Sequence, residues 1–135
     1  MDVRDSLVQA AREAAERAYA PYSQFKVGAA IRAIDGSIFS GANVENASYP
    51  LSLCAERSAI SWMIAAGKQE IEAVAIWTDT SEPTLPCGGC RQVLSEFSPN
   101  PSSLIITMAC PSGERSENLA ELLPGPFVLG EHRDV

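Results

Sequence analysis

Residues 72–108 decide the fold: Glu72-Ala73-Val74-Ala75-Ile76-Trp77-Thr78, a turn-rich segment through Pro83, a stretch at 88–97, and Leu104-Ile105-Ile106-Thr107-Met108. Val74, Ile76 and Trp77 mark the first run as a strand, and the last is a short buried strand. Between them Val93, Leu94 and Phe97 sit at helical spacing. A strand, a helix and a strand in that order permit parallel neighbours joined by a right-handed crossover. The expected class is α/β, a sandwich around a central mixed β-sheet.

Working outward, residues 54–66 read as a helix that Gly67 terminates, and 45–53, mixed in polarity and carrying Pro50, as the loop leading into it. Asp35-Gly36 is a two-residue hairpin signal between extended runs at 25–34 and 37–44. Across 3–19, Val3, Leu7, Ala10, Ala14 and Ala18 recur at helical spacing with Arg and Glu between them, and Pro21 ends that amphipathic helix. At the other end, 118–123 is a last helical turn before a weak tail. The expected order is α-β-β-α-β-α-β in a single domain covering 1–135, with no repeat or interdomain linker.

At 135 residues and 46% hydrophobic content the chain can bury a core without disulfide staples. No apolar run approaches the roughly 20 residues of a membrane span, so no membrane partner is expected. Met1-Asp2-Val3-Arg4-Asp5 lacks the apolar stretch of a signal peptide, which makes the cytoplasm the expected compartment. There, four cysteines point to metal or redox chemistry rather than disulfides. A formal net charge of -7 without a basic run disfavours a nucleic-acid partner, whose phosphates need a Lys/Arg surface.

The chemistry lies in Cys54-Ala55-Glu56 and Pro86-Cys87-Gly88-Gly89-Cys90. Ligation by Cys54, Cys87 and Cys90 leaves one position of a tetrahedral zinc open to water, whose pKa the metal lowers toward neutrality. Glu56 then moves protons as the catalytic acid and base. Cys87 and Cys90, three apart, share a face where they open a helix. Cys54 and Glu56, two apart, converge only if Cys54 caps its helix or sits in the first turn. Helix N-termini favour thiolates. Because three thiolates overcompensate the charge of zinc, Arg57 is the candidate for hydrogen bonds to the ligand sulfurs.

Other readings of these residues stay open at this level. Cys54 also suits a buried core thiol, Cys87-Gly88-Gly89-Cys90 a thioredoxin-like redox pair, and a metal-bound chain a non-catalytic zinc scaffold. Arg57 also suits a helix surface. Cys110, beside Pro111, reads as a bystander thiol, and His132 as a surface residue of the polar tail.

The Cys-x-Glu and Pro-Cys-x-x-Cys pairing is a three-cysteine version of the zinc-deaminase signature. The chain closely resembles the small homotetrameric cytidine deaminases in further stretches: Ala20-Pro21-Tyr22-Ser23-Gln24-Phe25-Lys26-Val27-Gly28-Ala29-Ala30, Asn43-Val44-Glu45-Asn46-Ala47-Ser48-Tyr49, Cys54-Ala55-Glu56-Arg57-Ser58-Ala59-Ile60, Cys90-Arg91-Gln92-Val93-Leu94-Ser95-Glu96-Phe97 and Glu121-Leu122-Leu123-Pro124. The resemblance implies a three-layer α/β/α sandwich, one zinc ion per subunit and a homotetramer with active sites near subunit boundaries. It implies hydrolysis of cytidine and 2'-deoxycytidine to the uridine products and ammonia, in pyrimidine salvage. It assigns Phe25 to the pyrimidine face, Asn43 and Glu45 to the ribose 3'-hydroxyl, and Ala55 to the substrate site. It extends Ala47 and Tyr49 to a neighbouring subunit's ribose site, and Phe127 to closure over the base from another subunit. The chain departs from the family in its tail, where Phe127 is followed by Val128-Leu129-Gly130-Glu131-His132, and at Leu85, where Ser often precedes Pro-Cys.

Taken singly, Phe25 also reads as a core aromatic, Asn43 as a turn residue and Glu45 as a solvated loop charge. A deaminase of another amino-heterocycle, such as blasticidin S or a modified cytosine, is the nearest rival activity.

Overall fold

The computed structural model describes residues 2–129. His132 lies outside them. The chain opens with helix α1 (Val3–Ala15), capped by Asp2, whose carboxylate accepts the Asp5 N–H at 2.8 Å. Strands β1 (Val27–Ala33) and β2 (Ile38–Ala42) follow, then a single 3-10 turn (Tyr49–Leu51), helix α2 (Ala55–Ala65) and strand β3 (Ile71–Thr78). Helix α3 (Gly88–Glu96), strands β4 (Ile105–Cys110) and β5 (Gly113–Asn118) and a short helix α4 (Leu119–Leu122) complete it.

The five strands form one mixed sheet in the order β2-β1-β3-β4-β5. β3 and β4 are its parallel pair, with Ala75 opposite Thr107, and α3 makes the crossover. β1 runs antiparallel to both β2 and β3. Alternation along β3 divides the molecule into layers. Val74 and Ile76 join Ile31, Phe39, Met63, Leu94, Ile106 and Met108 in the larger core, beneath α2 and α3. Ala75 points the other way, to Ala30, Leu7 and Ala11 under α1. That second face is lined with small residues because α1 lies close: a Cβ on Gly28 would stand 1.8 Å from the Ala11 carbonyl oxygen. The three-layer α/β/α arrangement is the one expected.

Three features differ from their sequence reading. The first helix ends at Ala15 rather than near residue 19, because the backbone of Tyr19 is drawn into pairing elsewhere. Its N–H donates to the Asn43 carbonyl at 3.0 Å and its carbonyl accepts from Glu45 N–H at 2.8 Å. β5 was not expected at all. Gly-Glu-Arg-Ser-Glu-Asn shows no apolar alternation, yet it pairs antiparallel with β4 from Cys110↔Gly113 to Ile105↔Asn118. It is an edge strand whose charged side chains suit an exposed edge and whose pairing is carried by backbone groups. The Asp35-Gly36 turn is also wider than a two-residue loop, since β1 ends at Ala33 and β2 begins at Ile38.

Among the described residues no helix is long and apolar enough to cross a membrane.

Candidate metal centre and substrate cleft

Two helix N-termini converge beside one cleft. Cys54 is the N-cap of α2, with extended backbone (φ -72°, ψ 153°), and Cys87 is the N-cap of α3 in the same conformation (φ -67°, ψ 165°). An N-cap side chain folds back over the first turn, so Cys87 Sγ accepts the Cys90 N–H at 3.4 Å. The sulfurs of Cys54, Cys87 and Cys90 all lie within 4.8 Å of one another. Tetrahedral zinc with its usual sulfur bonds spaces its ligands by about 3.8 Å, so the cluster is close to the size required.

The electrostatics of the cluster fit a dication. Cys54 is brought down to about 5, chiefly by a hydrogen bond with the Cys90 thiol, with Arg57 assisting and burial opposing. Cys90 is pushed up, chiefly by the same bond to Cys54 and next by burial. Three thiols this close cannot all ionise beside one another unless a cation joins them, and thiolate donors select a soft ion such as zinc. Arg57 Nη2 donates to Cys54 Sγ at 3.8 Å and to the Ser52 carbonyl at 3.3 Å, setting a fixed positive charge beside the sulfurs. Arg91 braces the other loop, donating from Nε to the Pro86 carbonyl at 2.9 Å and from Nη1 to the Leu122 carbonyl at 2.8 Å. That bracing role had no signal in the sequence, because the partners are backbone carbonyls, one of them 31 residues away.

Glu56, in the first turn of α2, is 5% exposed. Burial raises its pKa first, and the neighbouring Cys54 thiolate adds to the rise. A carboxyl so placed can hold a proton nearer neutral pH than an exposed glutamate can.

Glu56, Cys54, Cys87 and Ala55 line a cleft of about 620 Å³ together with Phe25, Asn43 and Glu45. Residues distant in the sequence thus share one cavity. Asn43 straddles the start of β1: its Oδ1 accepts the Val27 N–H at 2.9 Å and its Nδ2 donates to the Phe25 carbonyl at 2.8 Å. One amide hydrogen and one lone pair remain for a ligand. Glu45 Oε1 accepts the N–H groups of Tyr22 and Ser23 at 2.9 and 3.1 Å, and Oε2 accepts the Ser23 hydroxyl. These bonds, Ser23's hydroxyl first, hold the Glu45 carboxyl below its ordinary range. Leu85 and Ile76 add apolar wall.

The other expected site residues lie further out. Tyr49, in the 3-10 turn, lines the rim of the chain's own cleft and meets Tyr22 edge to face at 6.2 Å. Ala47 is exposed. Phe127 is 72% exposed and does not line the cleft. The amide of Gln92 holds its backbone at both ends, accepting the Phe127 N–H at 3.0 Å and donating to its carbonyl at 2.9 Å. Cys110 stands apart, buried, with its sulfur 3.2 Å from Ser112 Oγ.

Comparison with known proteins shows the family and the fold. The family model described as the cytidine and deoxycytidylate deaminase zinc-binding region matches residues 1–108. A cytidine deaminase of Halalkalibacterium halodurans is 42% identical over 132 residues, covering 97% of this chain and 98% of its own. One from Mycobacterium tuberculosis is 40% identical over 121 residues, covering 90% and 86%. Among solved structures, cytidine deaminase from Burkholderia pseudomallei superposes with a TM-score of 0.86 at 44% identity, over 94% of this chain and 100% of that one. The Mycobacterium tuberculosis enzyme superposes at 0.82 with 40% identity, over 96% and 100%.

Proposed function

This chain belongs to the cytidine and deoxycytidylate deaminase family, and from that premise we propose that Glu56 moves the protons of cytidine deamination while Phe25, Asn43 and Glu45 hold the nucleoside. The observation that carries the proposal is the convergence of three thiols and a buried carboxyl at the wall of the cleft that Phe25, Asn43 and Glu45 also line, with Cys90 buried just behind Cys54 and Cys87. Cys54, Cys87 and Cys90 hold the zinc, and Arg57 supports the Cys54 sulfur. When bound, zinc supplies the Lewis acidity that lets water act as a nucleophile near neutral pH.

The chain's own groups do the rest. Phe25 offers an aromatic face to the planar base. The free hydrogen and lone pair of the Asn43 amide, and the free acceptor capacity of Glu45, meet the ribose 3'-hydroxyl as donor and acceptor. Ala55, with no polar side chain, lies against the substrate at the start of α2. Glu56 takes a proton from the attacking water and delivers it to N3 of the ring, which makes C4 electrophilic. It then takes the proton that remains on the hydroxyl added at C4 and passes it to the departing amine. Water adds, the C4–N bond breaks, and uridine and ammonia leave. 2'-Deoxycytidine fits the same contacts, which ask only for a 3'-hydroxyl.

The proposal extends to one catalytic domain of 1–135, acting in the cytoplasm in pyrimidine salvage as a homotetramer. Exposed apolar side chains, Leu51, Trp62, Phe127 and Leu129 among them, are the kind of surface that subunits bury. In that assembly Ala47 and Tyr49 reach a neighbour's ribose site and Phe127 a neighbour's base.

The test is a panel of cytidine, 2'-deoxycytidine, free cytosine and blasticidin S, followed by absorbance with and without a zinc chelator. Turnover of both nucleosides that stops with the chelator is expected. Preference for the free base would refute the ribose contacts, and preference for blasticidin S would move the assignment to the rival substrate.

A further inference from the structure

The turn at residues 22–25 is organised around one hydroxyl. Ser23 Oγ donates its hydrogen to Glu45 Oε2, and the same oxygen accepts the Phe25 N–H at 3.0 Å. A serine hydroxyl has one hydrogen and two lone pairs, so its single hydrogen is committed to the carboxylate and one lone pair to the backbone of the aromatic residue. The intervening residue, Gln24, sits at φ 59°, in the left-handed region that side chains other than glycine rarely adopt. Backbone strain of that kind persists where surrounding bonds over-determine the turn. Those bonds are the two of Ser23 Oγ, the two N–H groups on Glu45 Oε1, and Gln24 N–H to the Ala20 carbonyl at 2.9 Å.

The division of bonds over the carboxylate matters. The N–H groups of Tyr22 and Ser23 both fall on Oε1 and so fix the position of that oxygen alone. The plane of the carboxylate could still turn about it. The Ser23 hydroxyl engages the other oxygen and removes that freedom. The acceptor direction left for a ligand is then set relative to Phe25, whose N–H is tied to the same oxygen of Ser23.

We infer that Ser23, which lines the cleft but has its one hydroxyl hydrogen committed to Glu45, is a positioning residue that fixes the Glu45 carboxylate relative to Phe25, so that nucleosides bearing a 3'-hydroxyl are selected through the orientation of that carboxylate. The inference rests on the proposed contact between Glu45 and the ribose. Ser23 is exposed, so the loss of its hydroxyl leaves the core untouched.

The experiment measures kcat and KM of the zinc-loaded enzyme for 2'-deoxycytidine and 2',3'-dideoxycytidine in the wild type, Ser23→Ala, Ser23→Thr and Glu45→Ala. The wild type is expected to prefer the substrate with the 3'-hydroxyl. Ser23→Ala should raise KM for 2'-deoxycytidine by roughly tenfold, the scale of one hydrogen bond to a charged group, with kcat little changed and the dideoxy substrate unaffected. Ser23→Thr, which keeps a hydroxyl, should restore most of the preference. A Ser23→Ala enzyme that keeps the full preference while Glu45→Ala loses it overturns this inference and leaves the ribose contact standing. An equal loss toward both substrates in Ser23→Ala also overturns it, since that marks general disruption of the cleft. If Glu45→Ala keeps the wild-type preference, the ribose reading fails and this inference fails with it.

Discussion

In the proposed reaction Glu56 concentrates the chemistry of the site in one side chain. Cys54 belongs to the thiol cluster and Arg57 donates to its sulfur, whereas Glu56 is buried in the first turn of α2 with its pKa raised by that burial. Replacing it by glutamine preserves volume and removes the proton acceptor. Glu56→Gln should retain about one zinc per chain by metal analysis and lose roughly 10³-fold in cytidine turnover, the scale of a lost general acid and base. Near wild-type rates would sink the proton role. Both the carboxylate and its separation from Cys54 were legible in the sequence, because two residues apart at a helix start is a purely local constraint. The roles of Ser23 and Arg91 were not, because each acts on a partner distant in the chain, at 22 and 31 residues.

At the scale of elements, α1 and the β1–β2 hairpin make contrasting predictions. Gly28 leaves no room for a methyl group, since its Cβ would meet the Ala11 carbonyl oxygen at 1.8 Å and the Ala15 nitrogen at 2.6 Å. Gly28→Ala should push α1 off the sheet and cost about 3 kcal/mol, seen as a lower denaturation midpoint. Gly36→Ala, at φ 94° with nothing within 4 Å, should cost only about 1 kcal/mol of backbone strain. A larger loss at Gly36 than at Gly28 would contradict the close approach of helix and sheet. In the same hairpin Asp35 is held well below the usual carboxylate range, first by the Ser37 hydroxyl and next by Lys68, whose Nζ lies 2.9 Å away. A depressed carboxyl adds stability that is complete above its unfolded pKa, near 4, and is lost as pH falls toward the folded value. The Tm gap between wild type and Asp35→Asn should therefore be present at pH 6 and shrink by pH 3. An unchanged gap would remove the carboxylate from the hairpin's stability.

For the whole molecule, a zinc ion held as proposed by Cys54, Cys87 and Cys90 ties the start of α2 to the start of α3 across the 32 residues of chain between Cys54 and Cys87. A ligand bound only by the folded state stabilises it by mass action. Chelation should abolish turnover and lower Tm by about 5–10 °C, with both recovered on adding zinc. Activity unaffected by complete metal removal would refute the zinc chemistry. The proposed tetramer is tested by sedimentation: a fully active monomer would refute the contributions of Ala47, Tyr49 and Phe127 to neighbouring sites.

By itself the sequence determined what depends on local spacing. The β3-α3-β4 unit, the helix carrying Glu56, and the Cys54–Glu56 and Cys87–Cys90 pairs follow from periodicity and from separations of two and three residues. Resemblance to a family then carried the reading to the nucleoside. Only the tertiary structure decided where α1 stops, because Tyr19 leaves the helix to pair with 43–45. It alone revealed β5, whose backbone pairing leaves no mark on its polar side chains. It also brought Phe25, Asn43 and Glu45 to the cleft beside Cys54 and Glu56. Such convergence is set by sheet order and by bonds between distant residues, and local sequence patterns do not encode either.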